Sequence, residues 1–317
     1  MKLGVIIPAL NEEKTIKEVI GRIPGSIEHI SEIQILVVDD GSTDNTAEYA
    51  KSAGAHVISH GHNYGIGKAF RTGYQYLLQQ STDVIVNIDA DGQFAPEDIP
   101  KIIKPILENT ADFVTASRFK DHELIPDMPP IKRWGNRQLA IVISWLTRQK
   151  LHDVTCGFRA YGREAILSLN LFQRFTYTQE MILDLAFKNL RIHEMPMKIR
   201  GEREFGKSRI ANNLWKYGFN TFKILFKTVK NYHPLRFFAV LSLFSFIPAL
   251  ILLIFSFWHF SIAGAFTPFK WVVFTGGSLL FLSVVFAIAG LLGDNLAVTR
   301  LNQERILYEQ KYRNYYR

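Results

Sequence analysis

From Phe237 to Phe260 the chain runs 24 residues without a charged side chain, taking His259 as neutral, and from Trp271 to Gly293 it does so again for 23. As a helix, either run is long enough to cross the roughly 30 Å of hydrocarbon in a bilayer. A segment in lipid must satisfy its own backbone polar groups, so both are expected to be helical. Pro248 lies inside the first and is a site for a kink. The connecting turn carries only Lys270, whereas Arg236 precedes the pair and Arg300, Arg305, Lys311, Arg313 and Arg317 follow it. That bias predicts a membrane hairpin with both ends, and everything before it, in the cytoplasm. The expected organisation is therefore a soluble domain over 1–205, an amphipathic interface segment over 206–236, two spans within 237–293, and a basic cytoplasmic tail over 294–317.

In the interface segment Ile210, Leu214, Phe222, Leu225 and Val229 recur at roughly helical spacing, with Lys216, Lys223, Lys227 and Lys230 between them. This pattern suits a helix lying on a membrane surface, or an amphipathic helix packed on the soluble domain. Trp134, Leu139, Ile141, Val142, Trp145 and Leu146 form a second such cluster, surface element or core. The net charge of +8 calls for an anionic partner, and the flanks of the hairpin account for much of it. No nucleic-acid motif is present, so the anionic partners expected are a lipid bilayer and a phosphorylated substrate. Cys156 is the only cysteine, which excludes an internal disulfide framework and a cysteine-rich zinc site. Pro8 and Asn11-Glu12-Glu13 interrupt the first apolar run too early for a signal peptide.

Residues 1 to about 118 alternate short β-branched runs with helical patterns. Strands are expected at 3–7, 33–38, 55–58, 83–88 and 113–116, and helices at 12–23, 46–53, 65–78 and 96–107. This order predicts an α/β fold with a mostly parallel sheet covered on both faces. In such sheets ligands gather at the carboxyl ends of the strands. Three polar clusters fall there: Pro8-Ala9-Leu10-Asn11-Glu12-Glu13, Asp39-Asp40-Gly41-Ser42-Thr43-Asp44 and Asp89-Ala90-Asp91-Gly92-Gln93. Paired carboxylates at such an edge suit a divalent cation whose remaining positions are filled by substrate phosphates. Each cluster also has an ordinary structural use, since Asn and Ser cap helices and Asp-Gly makes turns. Together they describe a nucleoside-diphosphate site. A Walker loop ending at Gly67-Lys68 is excluded by His62 and Ala69, and a dinucleotide fingerprint from Gly65 is excluded by Phe70.

These clusters carry a resemblance, together with Asn63-x-Gly65-x-Gly67-x-Ala69-x-Arg71-x-Gly73, Ser117-Arg118, Cys156-Gly157-Phe158-Arg159, Glu180 and Arg203 through Gly206 to Ser208. Residues 1 to about 232 resemble a glycosyltransferase family 2 catalytic domain of GT-A fold, most closely the polyprenyl-phosphate sugar synthases of dolichol-phosphate-mannose-synthase type. The resemblance implies inverting transfer of one hexose, such as glucose or mannose, from a UDP- or GDP-sugar, with Mg²⁺ or Mn²⁺. It places Pro8, Leu10, Asn11, Glu12, Asp40, Gly67, Lys68, Asp89 and Ala90 at the nucleotide, and Asp89, Asp91 and Gln93 at the metal. It makes Asp91, Arg118 and Glu180 the expected catalytic set. The polyprenyl phosphate acceptor, undecaprenyl or dolichyl, is expected at Arg118, Arg133, Arg137, Arg203 and Ser208. Ser208-Arg209 departs from the family's usual Ser-Lys but keeps the charge. The family also offers precedents for homo-oligomers assembled through the hairpin.

A phosphate monoester, with a second pKa of about 6, is largely dianionic at neutral pH and needs positioning more than a strong base. A lipid hydroxyl acceptor would instead require a carboxylate base, for which Glu180 and Asp153 are the candidates. A glycolipid synthase is thus one alternative, and a catalytically inactive membrane scaffold the other. Arg133-Trp134 is present without the Gln that precedes it by three residues in processive synthases, Pro130 standing there.

Overall fold

The computed structural model describes residues 1–170, 177–200, 226, 230 and 232–316. The chain divides into two compact units, one of Met1–Phe219 with Leu307–Arg317, the other of Asn220–Ile306.

The first unit is built on seven strands: β1 (Lys2–Ala9), β2 (Glu32–Asp39), β3 (His56–Ser59), β4 (Val84–Asn87), β5 (Phe113–Ser117), β6 (Arg159–Tyr161) and β7 (Ile192–Pro196). Their order in the sheet is β3-β2-β1-β4-β6-β5-β7. All neighbours are parallel except β6, which runs antiparallel between β4 and β5. The mostly parallel α/β expectation therefore holds, with one reversed strand that the alternating pattern did not show. Continuous apolar runs such as Val84-Ile85-Val86 are fully buried because helices cover both faces of the sheet.

Among the described residues, seven α-helices belong to this unit: α1 (Ile16–Gly21), α2 (Thr46–Ser52), α3 (Ile66–Gln79), α4 (Ile99–Leu107), α5 (Pro130–Thr147), α6 (Arg163–Ser168) and α7 (Tyr177–Phe187). In α3 the buried residues Phe70, Gly73, Tyr74, Leu77 and Leu78 recur at three- and four-residue steps, one face turned to the sheet. Gly73 sets how closely it lies: a Cβ there would come within 2.8 Å of the Ile6 side chain. The first helix is shorter than its pattern suggested, since residues 12–15 form a turn in which the Glu12 carbonyl accepts from the Thr15 and Ile16 amides.

Helices α8 (Pro234–Ala263) and α9 (Lys270–Tyr315) are both long and apolar enough to cross a membrane. Their 30 and 46 residues both exceed the roughly 20 that a bilayer core requires. Helix α8 continues through Pro248. Within the second unit Gly276 of α9 packs against Leu253 of α8, and the Ser242 hydroxyl donates to the Ser283 carbonyl at 3.0 Å. Small residues let two apolar helices approach closely where lipid supplies no hydrophobic drive.

The second helix does not end with its apolar run at Gly293. It continues through the expected tail, and its last turns belong to the first unit. Lys311 Nζ donates to the Leu169 carbonyl at 2.7 Å, to the Leu167 carbonyl and the Tyr74 hydroxyl at 3.2 Å, and to Asn170 Oδ1 at 3.1 Å. Leu167 and Leu169 lie at the carboxyl end of α6, where helix carbonyls lack intrahelical donors and a cation is favoured. The Tyr308 hydroxyl adds a bond to Glu164 at 2.8 Å, and the Tyr316 ring lies under the Arg163 guanidinium. The segment beyond Leu307 is thus a strap on the first unit. Lys311→Met should destabilise that unit by about 1–3 kcal/mol, the range for orphaning half-buried acceptors. Thermal unfolding in detergent reads this directly; superimposable curves for variant and wild type would mean that the strap holds nothing.

Candidate functional site

Pairing of β1 with β2 sets Ala9 beside Asp39, and pairing with β4 sets Ile6 beside Asn87. Because β1 is flanked by strands reached in opposite directions, its carboxyl end is the switch point at which open α/β sheets bind ligands. Three loops leave this edge, after Ala9, Asp39 and Asn87, and hydrogen bonds stitch them together. Asn11 takes a left-handed conformation that its short polar side chain tolerates. Its Oδ1 accepts from the Thr43 amide at 2.8 Å, and its own amide donates to Ser42 Oγ at 2.8 Å. The Glu12 amide donates to Thr46 Oγ1, also at 2.8 Å. The Thr15 hydroxyl donates to the Ala90 carbonyl at 2.7 Å, joining the first loop to the third. Pro8 is the penultimate residue of β1, and Leu10 opens the loop behind the strand.

Asp39 and Asp40 are both buried. Asp39 Oδ1 accepts from the Ser42 amide at 3.0 Å. Asp40 accepts from the Tyr64 amide at 3.1 Å and the Gly65 amide at 2.7 Å, and its Oδ1 lies 2.7 Å from His60 Nδ1. It thereby holds the loop leading into α3, whose first turn carries Gly67 and Lys68. A carboxylate has about four acceptor sites, so a nucleotide would share Asp40 with this loop.

Asp89 and Asp91 follow β4, the first half-buried and the second buried. The loop before β6 backs onto Asp89: a Cβ at Gly157 would lie 2.6 Å from Asp89 Oδ2, so a larger residue there would push that carboxylate aside. The Gly157 carbonyl accepts from Asn87 Nδ2 at 2.8 Å, which fixes the loop on the strand. Asp91 Oδ1 accepts from the Gln93 amide at 3.1 Å. Gln93 Nε2 donates to the Arg200 carbonyl at 3.2 Å, and the Arg200 amide donates to the Gln93 carbonyl at 3.1 Å. Among the described residues no group of three or more His, Cys, Asp and Glu side chains gathers around a point. Two carboxylates and an amide oxygen are hard donors, too few to close a shell. They fit Mg²⁺ or Mn²⁺ with positions left for substrate phosphates.

Arg118 follows β5 and is engaged by Asp153, with Nε to Oδ2 at 2.6 Å and Nη2 to Oδ1 at 3.0 Å, and by Thr155 Oγ1 at 2.7 Å. Asp153 is fully buried, which alone would raise its pKa. The charge and hydrogen bonds of Arg118 outweigh burial and hold it below the ordinary carboxylate range. A carboxylate so stabilised is a poor proton acceptor, and both of its oxygens are engaged by Arg118. Burial pushes the Cys156 thiol up to about 12, which makes it inert at neutral pH. Arg159 is buried as well; it donates to the carbonyls of Cys156 at 2.8 Å and Thr178 at 2.9 Å. That clamps the Gly157 loop to the start of α7, where Glu180 stands in the first turn.

Arg133 and Arg137 lie one turn apart on α5 and line a cavity of about 480 Å³. Lys150 and His152 line it too, with Ile125 and Ile141 among its apolar walls, and none of its described lining residues is acidic. His152 Nδ1 lies 2.6 Å from Glu194 Oε2, a buried carboxylate on β7. Neither residue stood out in the sequence, since Glu194 falls in a short alternating strand and its partner is 42 positions away. Arg203 and Ser208, and most of the 206–236 interface segment, lie outside the described residues.

Residues 4–169, just over half the chain, match the family described as Glycosyl transferase family 2. The chain is 34% identical over 214 residues to the UDP-N-acetylglucosamine–dolichyl-phosphate N-acetylglucosaminyltransferase of Methanococcus voltae, covering 61% of this chain and 84% of that one. It is 28% identical over 223 residues to the undecaprenyl-phosphate mannosyltransferase of Micrococcus luteus, covering 68% and 89%. Among solved structures, glucosyl-3-phosphoglycerate synthase of Mycobacterium tuberculosis in complex with uridine diphosphate superposes with a TM-score of 0.55 at 24% identity, covering 72% of this chain and 79% of that one. That likeness shows the GT-A-like fold. With the match over residues 4–169, the chain belongs to glycosyl transferase family 2.

Proposed function

We propose that this protein transfers a single sugar from a UDP- or GDP-sugar to a polyprenyl phosphate at the cytoplasmic face of a membrane. The observation that carries the acceptor class is the α5 cavity, where Arg133, Arg137 and Lys150 meet apolar walls with no acid among the described lining residues. An anionic head on an apolar chain is the ligand such a surface recognises. The relatives named as dolichyl- and undecaprenyl-phosphate sugar transferases support the same class. So do two helices long and apolar enough for a membrane, with Arg236 before them, Arg300 and Arg305 after them and Lys270 alone between.

The cavity and the carboxylate edge are joined by one short loop. His152 lines the cavity, and Gly157, five residues on, backs onto Asp89. In this reading Arg133 and Arg137 hold the acceptor phosphate, and Arg118, stiffened by Asp153, adds a fixed charge near them. The phosphate oxygen attacks the anomeric carbon as the bond to the leaving diphosphate breaks, so no carboxylate base is required. Asp89, Asp91 and Gln93 would hold a divalent cation, which offsets charge on the leaving diphosphate. The loops pinned by Asp40, Asn11 and Thr15 set the nucleotide, and alignment supplies most of the rate.

Asp91→Asn should lower kcat by about a hundredfold or more, as expected for losing one preorganised charge-stabilising group. Gly157→Ala should weaken Mn²⁺-dependent nucleotide binding, because the added methyl displaces Asp89. Arg133→Ala and Arg137→Ala should each raise KM for the acceptor about tenfold or more while leaving donor KM unchanged. Initial-rate kinetics on both substrates read all three. Near-normal turnover in Asp91→Asn would remove the carboxylate edge from the chemistry, and arginine variants that move only the donor KM would remove the cavity from the acceptor.

A further inference from the structure

The sequence around His152 follows no motif, yet the structure treats this residue unlike its neighbours. Its backbone amide donates to Glu194 Oε1 at 2.9 Å, and its ring Nδ1 lies 2.6 Å from Glu194 Oε2. The next amide, that of Asp153, donates to the same Oε1 at 2.6 Å. Glu194 stands on β7 opposite Thr115 of β5, its side chain only 3% exposed. A carboxylate buried so deeply is costly unless donors surround it, and here three converge from two consecutive residues. The His152 ring itself is 32% exposed and lines the α5 cavity with Arg133, Arg137 and Lys150. The backbone is held a second time from the cavity side, where Asn136 Nδ2 donates to the His152 carbonyl at 3.2 Å.

With Nδ1 committed to Glu194, Nε2 is the ring nitrogen left for a ligand. We propose that His152, oriented by Glu194, is an acceptor-binding residue that recognises the phosphate monoester in the α5 cavity through Nε2. The proposal rests on the acceptor reading above. Glu194 is a positioning residue in this scheme, because it holds the imidazole and the two backbone amides beside it and is not itself a lining residue of the cavity. The proton balance is simple. A dianionic phosphate meets imidazolium and accepts a hydrogen bond from its Nε2–H. A monoanionic phosphate meets neutral imidazole and passes its P–O–H proton to Nε2. Both routes end at the same imidazolium–dianion pair, with a phosphate oxygen deprotonated and ready to attack. The arginines of α5 supply charge but cannot accept a proton, so His152 adds what they lack.

A structural role for the same residue would rest on Nδ1 alone, and two isosteric variants separate the roles. Asn at 152 can keep a donor near the Nδ1 position for Glu194 but has nothing at Nε2. Gln at 152 reaches the Nε2 position and loses the Glu194 bond. The probe is farnesyl phosphate, with farnesol as control, titrated into the full-length detergent-solubilised protein alongside thermal unfolding. His152→Asn is expected to melt like wild type, keep its donor KM, and bind farnesyl phosphate about tenfold or more weakly, the cost of one charge-assisted hydrogen bond. His152→Gln is expected to melt earlier and to retain the larger share of the phosphate affinity. Wild-type affinity for farnesyl phosphate in His152→Asn would overturn the proposal while leaving the acceptor reading intact. Equal affinity of the wild type for farnesyl phosphate and farnesol would overturn the acceptor reading itself, and this proposal with it.

Discussion

Buried carboxylates are the constraint on which this structure turns. Asp39, Asp40, Asp91, Asp153, Asp184 and Glu194 are each less than a tenth exposed. A carboxylate taken out of water is costly unless donors or a cation surround it, so each dictates the conformation of the chain around it. Asp40 gathers the loop that begins α3, Asp153 fixes Arg118, and Glu194 fixes His152 and the amide beside it. The loops at the carboxyl end of the sheet are held by these demands as much as by apolar packing. Preorganisation of this kind is what charge-stabilising catalysis requires, since donors already aimed need not be reoriented during reaction.

The sheet and its ligand edge were legible because both rest on local patterns. β-Branched runs ending in Asp-x-Asp or Asp-Asp reveal strand ends without any long-range information, and α3 shows its face through Phe70, Tyr74 and Leu77. β6 was not legible. Arg159–Tyr161 is three residues long, and its antiparallel pairing with β4 and β5 rests on partners more than 40 positions away, which no local pattern reports. The Arg118–Asp153 and His152–Glu194 pairs were hidden for a related reason. Their partners stand 35 and 42 positions apart, and no periodicity reports such a pairing. Asp153, with Glu180 one of two candidate bases for a hydroxyl acceptor in the sequence, is paired with Arg118 in the structure, a contact that only the fold makes. Arg133 and Arg137 were legible as phosphate-binding candidates, but the cavity between them and the 150–152 loop was not.

The C-terminal helix makes a related point about charge. Lys311 and its neighbours read as a basic cytoplasmic tail, since a run of cations after an apolar span is an ordinary topological signal. Lys311 also donates to the carbonyls of Leu167 and Leu169 and to the Tyr74 hydroxyl. A cation counted for topology can therefore also be a structural cap, and the helix that leaves the second unit ends as part of the first.

The measurement that bears most directly on the account is the chemistry of the lipid product. Labelled UDP- and GDP-sugars would be offered separately to the purified protein with undecaprenyl phosphate and Mg²⁺ or Mn²⁺. One donor is expected to yield organic-phase label that is released by mild acid, as a sugar phosphodiester is, and that fails to form with chelator present. Acid-stable label, or label carried by diacylglycerol with none on the polyprenyl phosphate, would contradict it.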